Sequence, residues 1–271
     1  RKSSNVAHLK NFNITFTYPD FNNVDALKQE IIANDYQYII HAAVVTRAKN
    51  QAAYNAINVN YTINLAAAAA TAPGFKKLVF ISSLAALGPL KTLTGIINDD
   101  DAPRPVTAYG ESKLLAEQTL KTIHHLKYTV LRPTAVYGPR DTGIYLAFKQ
   151  FAKGIEPYIG TGKQKLSFIY VKDLAVASIK ALHAGQQKSY NLSDGNFYDR
   201  FELADITKSV LGVKTFKFHL SVKFVKFIAT VSEFICSLRN QTPILNTEKL
   251  NELIAVNCFC KIDDAQHEHG F

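Results

Sequence analysis

The sequence predicts an α/β fold built on a doubly wound parallel sheet, and three observations carry that reading. Short β-like runs alternate with longer stretches of helical periodicity through much of the 271-residue chain. One of those runs, residues 77–82, reads as a clean buried strand. Hydrophobic residues make up 47% and charged residues 20%, which supplies a sizeable core for one large domain or a domain with an appendage.

The elements follow in order. Residues 14–18 are a candidate strand and residues 24–33 a helix. A strand at 36–41 precedes a long helix over 52–70 that stops at Pro73-Gly74. The alanine run 66–70 within it favours helix and close helix packing. After the strand at 77–82, residues 88–106 are rich in Pro, Gly and Asp and read as a loop. A helix at 108–123 and a strand at 128–132 complete the regular alternation, whose crossovers should be right-handed. Beyond Pro139 the pattern loosens. It predicts a helix at 144–153, a strand at 168–171, a helix at 173–182 and a short strand at 190–192 before the turn Ser193-Asp194-Gly195. The remainder reads as mainly helical, with Val222, Val225, Ile228, Ser232 and Ile235 forming an amphipathic stripe.

Composition narrows the function classes. The formal net charge is +9, but the Lys and Arg residues are scattered, and the runs Lys76-Lys77 and Arg1-Lys2 are too short for a nucleic-acid patch. Three cysteines, Cys236, Cys258 and Cys260, are too few and too odd for a disulfide scaffold, and a reducing cytoplasm is the expected location. No signal peptide is visible. The apolar stretch 222–238 carries Lys223, Lys226 and Glu233, so no membrane span is expected. Cys258, Cys260, His267 and His269 do not match a structural zinc spacing, so no metal is expected, and they read as a helix-packing segment with a solvated tail. The chain opens on Arg1 and holds no Met or Trp, so a longer parent sequence is expected.

The chemistry centres on Tyr109 and Lys113, which lie four apart and share one face of the helix at 108–123. A phenol titrates near about 10, and a neighbouring ammonium lowers that value, so the pair can move a proton to or from a carbonyl or alcohol oxygen. Strand 77–82 runs into Ser82 and Ser83 at its C-terminal end, where parallel sheets bind ligands. A serine hydroxyl there can hydrogen-bond the same substrate oxygen.

With these in place the chain resembles the extended short-chain dehydrogenase/reductase family, in its NAD-dependent epimerase/dehydratase branch. Six segments match in order: His41-Ala42-Ala43, Asn58-Val59-Asn60-Tyr61-Thr62 with Tyr61 where the family has Gly, Phe80-Ile81-Ser82-Ser83, Tyr109 to Lys113, Leu131 to Pro139, and Tyr170-Val171-Lys172-Asp173-Leu174-Ala175. They cover roughly residues 14–195. The resemblance implies a Rossmann-like domain over 1–140, with part of 168–195 returning to it. A smaller, mostly helical substrate lobe takes 141–271. It implies Ser83, Tyr109, Lys113 and Asn58 as catalytic residues: Tyr109 as acid/base, Lys113 tuning it and holding the nicotinamide ribose, Ser83 polarising the substrate oxygen, and Asn58 ordering the site. Cofactor contacts are implied for Asp20, Phe21, Ala42, Ala43, Ser82, Pro133, Thr134 and Val136, besides Tyr109 and Lys113. Asp20 would meet the adenine amino group; its other reading is the N-cap of the helix at 24–33.

The family's opening strand and its Gly-x-x-Gly-x-x-Gly turn do not occur in this sequence, so the fold is expected to lack its first βα unit. Arg1 falls where the family selects its cofactor, and Arg there suits the 2′-phosphate of NADP, so the cofactor is NAD or NADP. Many nucleotide-sugar members carry an Arg seven residues before Asp173; Leu166 stands there, with Lys165 beside it. The expected function is therefore NAD(P)-dependent hydride transfer at a carbinol or carbonyl carbon of an apolar ketone or alcohol. The alternatives are a nucleotide-sugar epimerase or dehydratase and a non-catalytic, cofactor-sensing scaffold. A small-molecule substrate is the expected partner. A homodimer through the helices at 52–70 and 108–123 is implied as well.

Overall fold

The computed structural model describes residues 5–239, 243 and 246–270. Helix α1 (Val24–Ala33) begins where the Asn23 side chain accepts from Ala26 N at 3.0 Å, and it buries Leu27 and Ile31, one turn apart. Strand β1 (Tyr38–His41) follows, then α2 (Gln51–Tyr54), a π-helical turn Asn55–Val59, and α3 (Asn60–Thr71). Strand β2 (Lys77–Ile81), helix α4 (Ala108–Leu120) and strand β3 (Tyr128–Pro133) complete the regular part. Next come β4 (Ala135–Tyr137), α5 (Ile144–Ala152), β5 (Ile155–Ile159), β6 (Lys165–Leu166), β7 (Phe168–Tyr170), α6 (Val171–Lys180) and β8 (Lys188–Leu192). The chain ends with β9 (Tyr198–Asp199), α7 (Glu202–Leu211), β10 (Phe216–Leu220), α8 (Val222–Leu238), α9 (Thr247–Leu253) and α10 (Asp263–His269).

The central sheet is four-stranded and parallel in the order β1-β2-β3-β8. Both faces are covered, as a parallel sheet requires. In β2, Leu78 and Phe80 face a core shared with α1, α3 and α4, while Val79 faces a second core with Ala177, Ala181 and Ala265 of α6, α10 and their connections. Ala66, Ala68 and Ala69 are buried in the first core, the close packing expected of the alanine run.

Several expectations are corrected. Residues 14–18 are not assigned to a strand, and Ile14, Phe16 and Tyr18 are exposed, so their apolar side chains lie on no buried sheet face. The helix at 52–70 is interrupted by the π-helical turn, and the helix expected at 173 starts at Val171. The later chain is less helical than its periodicity suggests. β10 pairs in parallel with β5, whose Glu156 and Pro157 mask it as a strand. Residues 257–260 are not a helix-packing segment. They bridge to Leu90, Ile97 and Lys165, and Cys260 is buried. The solvated tail is in fact α10, whose Glu268 accepts from the Tyr190 hydroxyl at 2.5 Å. Among the described residues of α8 the buried positions are Val225 and Ala229, while Ile228 and Ile235 of the expected stripe are exposed.

One buried polar network ties these layers. The Arg132 guanidinium meets Glu117 at 2.6 Å and donates to the Asp99 carbonyl at 2.7 Å, and the Ser82 hydroxyl donates to Glu117. This joins β3, α4, the end of β2 and the 99–101 loop. Removing one partner leaves a desolvated charge, so Glu117→Ala should lower unfolding free energy by about 3–5 kcal/mol in chemical denaturation. A loss under about 1 kcal/mol would show that the pair is not the tie described.

Candidate active site

A cleft of about 1210 Å³ opens beyond the C-terminal end of β1. Asp20, Phe21, Ala42, Ala43, Tyr61 and Tyr109 line it, and Asp141, Thr142, Asn246, Glu248, Lys249 and Glu252 stand among the rest of its wall. Its position follows from the topology, since the ends of parallel strands leave a crevice where the connections part.

Tyr109 sits in the first turn of α4. The Thr107 side chain caps that helix by accepting from Gly110 N at 3.1 Å. A Cβ on Gly110 would stand 2.3 Å from the Ala85 carbonyl oxygen, so glycine lets the helix start press against the short turn Leu84–Ala86. Ser83 caps that turn, accepting from Ala85 N at 3.2 Å, and its side chain lies near enough to the Tyr109 phenol to stabilise the phenolate against burial. Tyr54 packs 6.3 Å from the Tyr109 ring.

Desolvation dominates the electrostatics here. Burial pushes the Tyr109 phenol up to about 12, against the opposing pull of Ser83. Burial also lowers the Lys113 ammonium to about 7, with Glu117 opposing. Lys113 Nζ donates to the Ile81 carbonyl at 2.7 Å and lies 4.4 Å from the Phe80 ring centroid. In the protein alone, therefore, the phenol is held protonated and is not lowered as the Tyr–Lys spacing suggests. His41, at the end of β1, is lowered to about 4 by burial and then by Lys113, and its Nε2 lies 3.0 Å from Thr62 Oγ1.

Asn58 lies in the π-helical turn, fully buried. Its Oδ1 accepts from Val45 N at 2.8 Å, and its Nδ2 donates to Val45 O at 3.0 Å and to Ser112 Oγ at 2.9 Å. Ser112 Oγ in turn donates to the Tyr109 carbonyl at 2.7 Å. Asn58 thus links the cleft-lining 42–45 segment to the turn that carries Tyr109, as a positioning residue.

Of the residues expected at the site, Asp20, Phe21, Ala42, Ala43 and Tyr109 line the cleft, and Ser83 acts on the Tyr109 phenol without lining the cleft. Lys113 and Asn58 lie beneath the wall. Ser82 has its hydroxyl on Glu117, turned away from the cleft. Pro133 ends β3, Val136 packs into the second core, and neither they nor Thr134 line the cleft. The Thr134 hydroxyl is nonetheless buried with no partner among the described residues. Arg1 lies outside the described residues. Asp20 is not the helix cap, a role taken by Asn23; its Oδ1 accepts from Asn22 N at 2.9 Å.

The sequence reading registered Tyr61 only as a departure from the family pattern. In the fold its ring packs on Phe21 at 5.3 Å between centroids and forms part of the cleft wall. Glu248, Lys249 and Glu252 of α9 were missed. Their only signal was a helical pattern, which does not say what a helix faces.

The depressed Lys113 has a definite consequence for stability. Between about 7 and the ordinary lysine value, the unfolded chain holds a proton that the folded chain has released, so stability rises with pH across that window. Below about 7 both states are protonated, and this contribution is flat. Urea unfolding from pH 7 to 10 should therefore show wild type gaining stability relative to Lys113→Met as pH rises; parallel profiles would contradict the burial of the ammonium.

The family described as NAD dependent epimerase/dehydratase matches residues 1–193. In two curated relatives the chain spans 61% and 68% of the relative's own length. The second is a putative UDP-glucose 4-epimerase of Methanocaldococcus jannaschii, 30% identical over 214 residues, or 73% of this chain. Among solved structures, the UDP-glucose 4-epimerase of Thermotoga maritima with UDP-glucose superposes with a TM-score of 0.78 at 20% identity, over 99% of this chain and 82% of that one. The UDP-glucuronic acid 4-epimerase of Bacillus cereus in complex with NAD gives 0.74 at 20% identity, over 98% and 77%. The structural likenesses establish the Rossmann-like α/β fold, and the match over residues 1–193 establishes the kinship: the chain belongs to the NAD-dependent epimerase/dehydratase family.

Proposed function

We propose that this chain is the catalytic body of an enzyme that moves hydride at a carbinol carbon of a nucleotide sugar, with NAD as cofactor and Tyr109 exchanging the proton of that carbon's oxygen. The observation that carries the reading is Tyr109 itself. It faces the cleft, with Ser83 beside it, at the ligand-binding end of a parallel sheet.

The residues present fit a dinucleotide. The cleft volume of about 1210 Å³ exceeds that of most small-ligand pockets, roughly 300–1,000 Å³, and leaves room for a dinucleotide. The Phe21 and Tyr61 rings make a wall for a flat heterocycle, with the Asp20 carboxylate beside it to accept from an exocyclic amino group. Ala42 and Ala43 are small and exposed, which leaves their backbone open to close approach. When bound, nicotinamide supplies the hydride acceptor and donor.

The side chains supply the proton chemistry. A phenol held near about 12 keeps its proton at neutral pH, so Tyr109 donates to a carbonyl oxygen while Ser83 polarises the same atom. Returning that proton to Tyr109 needs a lower phenol value than the protein alone provides. Lys113, poised near about 7, provides the charge that lowers it once protonated. We assign residues 1–140 and the 188–192 strand to cofactor binding, and the walls from residues 141–271 to the substrate.

A nucleotide sugar is placed ahead of an apolar ketone because Asp141, Asn246, Glu248, Lys249 and Glu252 line the cleft. The names of the Methanocaldococcus and Thermotoga relatives point the same way. NAD is placed ahead of NADP because the Bacillus neighbour carries it. The proximity of Ser83 to Tyr109 favours an enzyme over a cofactor-sensing scaffold.

Calorimetric titration with NAD and NADP, paired with a UDP-hexose epimerisation assay, tests this. Tyr109→Phe should lower kcat by about 10²–10⁴-fold and leave the NAD Kd within about threefold. Turnover near the wild-type rate in that variant would remove Tyr109 from the mechanism.

A further inference from the structure

Three side chains of α4 meet three features of the strand end that precedes it. Tyr109, Lys113 and Glu117 are spaced four apart, so they stand on one helix face, about 6 Å from one to the next. Tyr109 has Ser83 beside it, Lys113 Nζ donates to the Ile81 carbonyl at 2.7 Å, and Glu117 accepts from the Ser82 hydroxyl. Ser82 and Glu117 are 3% and 1% exposed, so water does not compete for their bond.

Both ends of that bond are fixed. Arg132 Nε donates to the two Glu117 oxygens at 3.1 Å each, and Arg132 Nη2 donates to Oε2 at 2.6 Å. The Ser82 backbone N donates to the Leu131 carbonyl at 2.7 Å, which pins the residue to β3. Ser83 comes next and has left the ladder. Its hydroxyl accepts from Ala85 N at 3.2 Å and its carbonyl from Ala86 N at 3.0 Å, and both bonds stay within the turn Leu84–Ala86. Glycine at 110 permits that turn to approach α4, but permission is not attachment. The Ser82–Glu117 bond attaches the residue just before the turn to the helix, and the Lys113–Ile81 bond adds a tie one residue earlier.

We propose that Ser82 and Glu117 are positioning residues for the reaction: their buried hydrogen bond fixes where the Leu84–Ala86 turn lies against α4, and so where the Ser83 hydroxyl stands relative to Tyr109. The inference rests on the roles proposed above for Ser83 and Tyr109. The Ser82 hydroxyl is turned away from the cleft, so it acts through Ser83 and not on substrate. Two groups that must meet one oxygen tolerate little misplacement, and an error of about 1 Å can cost on the order of a hundredfold in rate. Glu117 serves Lys113 from the same place, where its charge opposes the loss of the ammonium's.

Ser82→Ala removes the hydroxyl and leaves the backbone ladder and the Glu117–Arg132 pair in place. Amide hydrogen exchange of the full chain, read by mass spectrometry, should show residues 84–88 exchanging at least about tenfold faster than in wild type, with α1 unchanged. In the UDP-hexose assay kcat should fall about tenfold or more, while KM and the NAD Kd stay within about threefold. On a Ser83→Ala background the same substitution should change kcat by less than about twofold, because the group that it positions is gone. Should Ser82→Ala fold poorly, Ser82→Cys, close in size and a weak donor, replaces it in both arms. Wild-type exchange at 84–88, or an equal loss of kcat with and without the Ser83 hydroxyl, would overturn the proposal. A wild-type chain that turns over no nucleotide sugar would instead remove the functional reading, and the exchange rates would still decide whether Ser82 holds the turn.

Discussion

The contact between Gly110 and the Ala85 carbonyl is the constraint on which the site depends. A side chain at 110 would collide with that oxygen at 2.3 Å, so only glycine lets the first turn of α4 rest on the turn after β2. With that approach made, Tyr109 meets Ser83, and Lys113, one helical turn on, reaches the Ile81 carbonyl. The Asn58–Ser112 bond then ties the same turn to the 42–45 wall of the cleft. A backbone contact thus sets the distance between two strand-end loops and the residue proposed to do the chemistry.

The same closeness explains the electrostatics. Packing α4 on the strand end removes water from Tyr109, Lys113 and His41 together, and each is driven toward its neutral form. A fully charged lysine beside the phenol would have been the simpler device. What the fold builds is a site at low polarity, in which a small change in charge has a large effect on the proton held at Tyr109. Lys113 is the group best placed to make that change. Glu117 beneath it already opposes its loss of charge, and is itself held by Arg132.

The part of the fold legible in the sequence is the part with local signals. The buried strands at 77–81 and 128–133 announce themselves by apolar runs, and α1 and α4 by helical periodicity, although the cap of α1 is Asn23 and not the Asp20 that the sequence suggests. Tyr109, Lys113 and Ser83 were legible because a helix period and a strand end place them. What was not legible depends on pairing between distant segments. Residues 14–18 have the pattern of a strand but are exposed and join no strand of the central sheet, whereas Ile155–Ile159 pairs with Phe216–Leu220, far along the chain, and has a Glu and a Pro to disguise it. The polar wall from α9 is of the same kind, since Glu248 meets the Ala108 amide across 140 positions. The amphipathic stripe expected on α8 holds both the buried Val225 and the outward Ile228 and Ile235, because periodicity shows that a helix has faces and leaves open which one is covered.

The central claim is that Ser83 and Tyr109 act on one substrate oxygen as a unit, held together by the close approach at Gly110. A double-mutant cycle on kcat/KM with Ser83→Ala and Tyr109→Phe measures that coupling directly. The account predicts a double variant within about threefold of the worse single variant, because either change alone dismantles the shared contact. Losses that multiply across the two sites would show that the residues act independently and would contradict it.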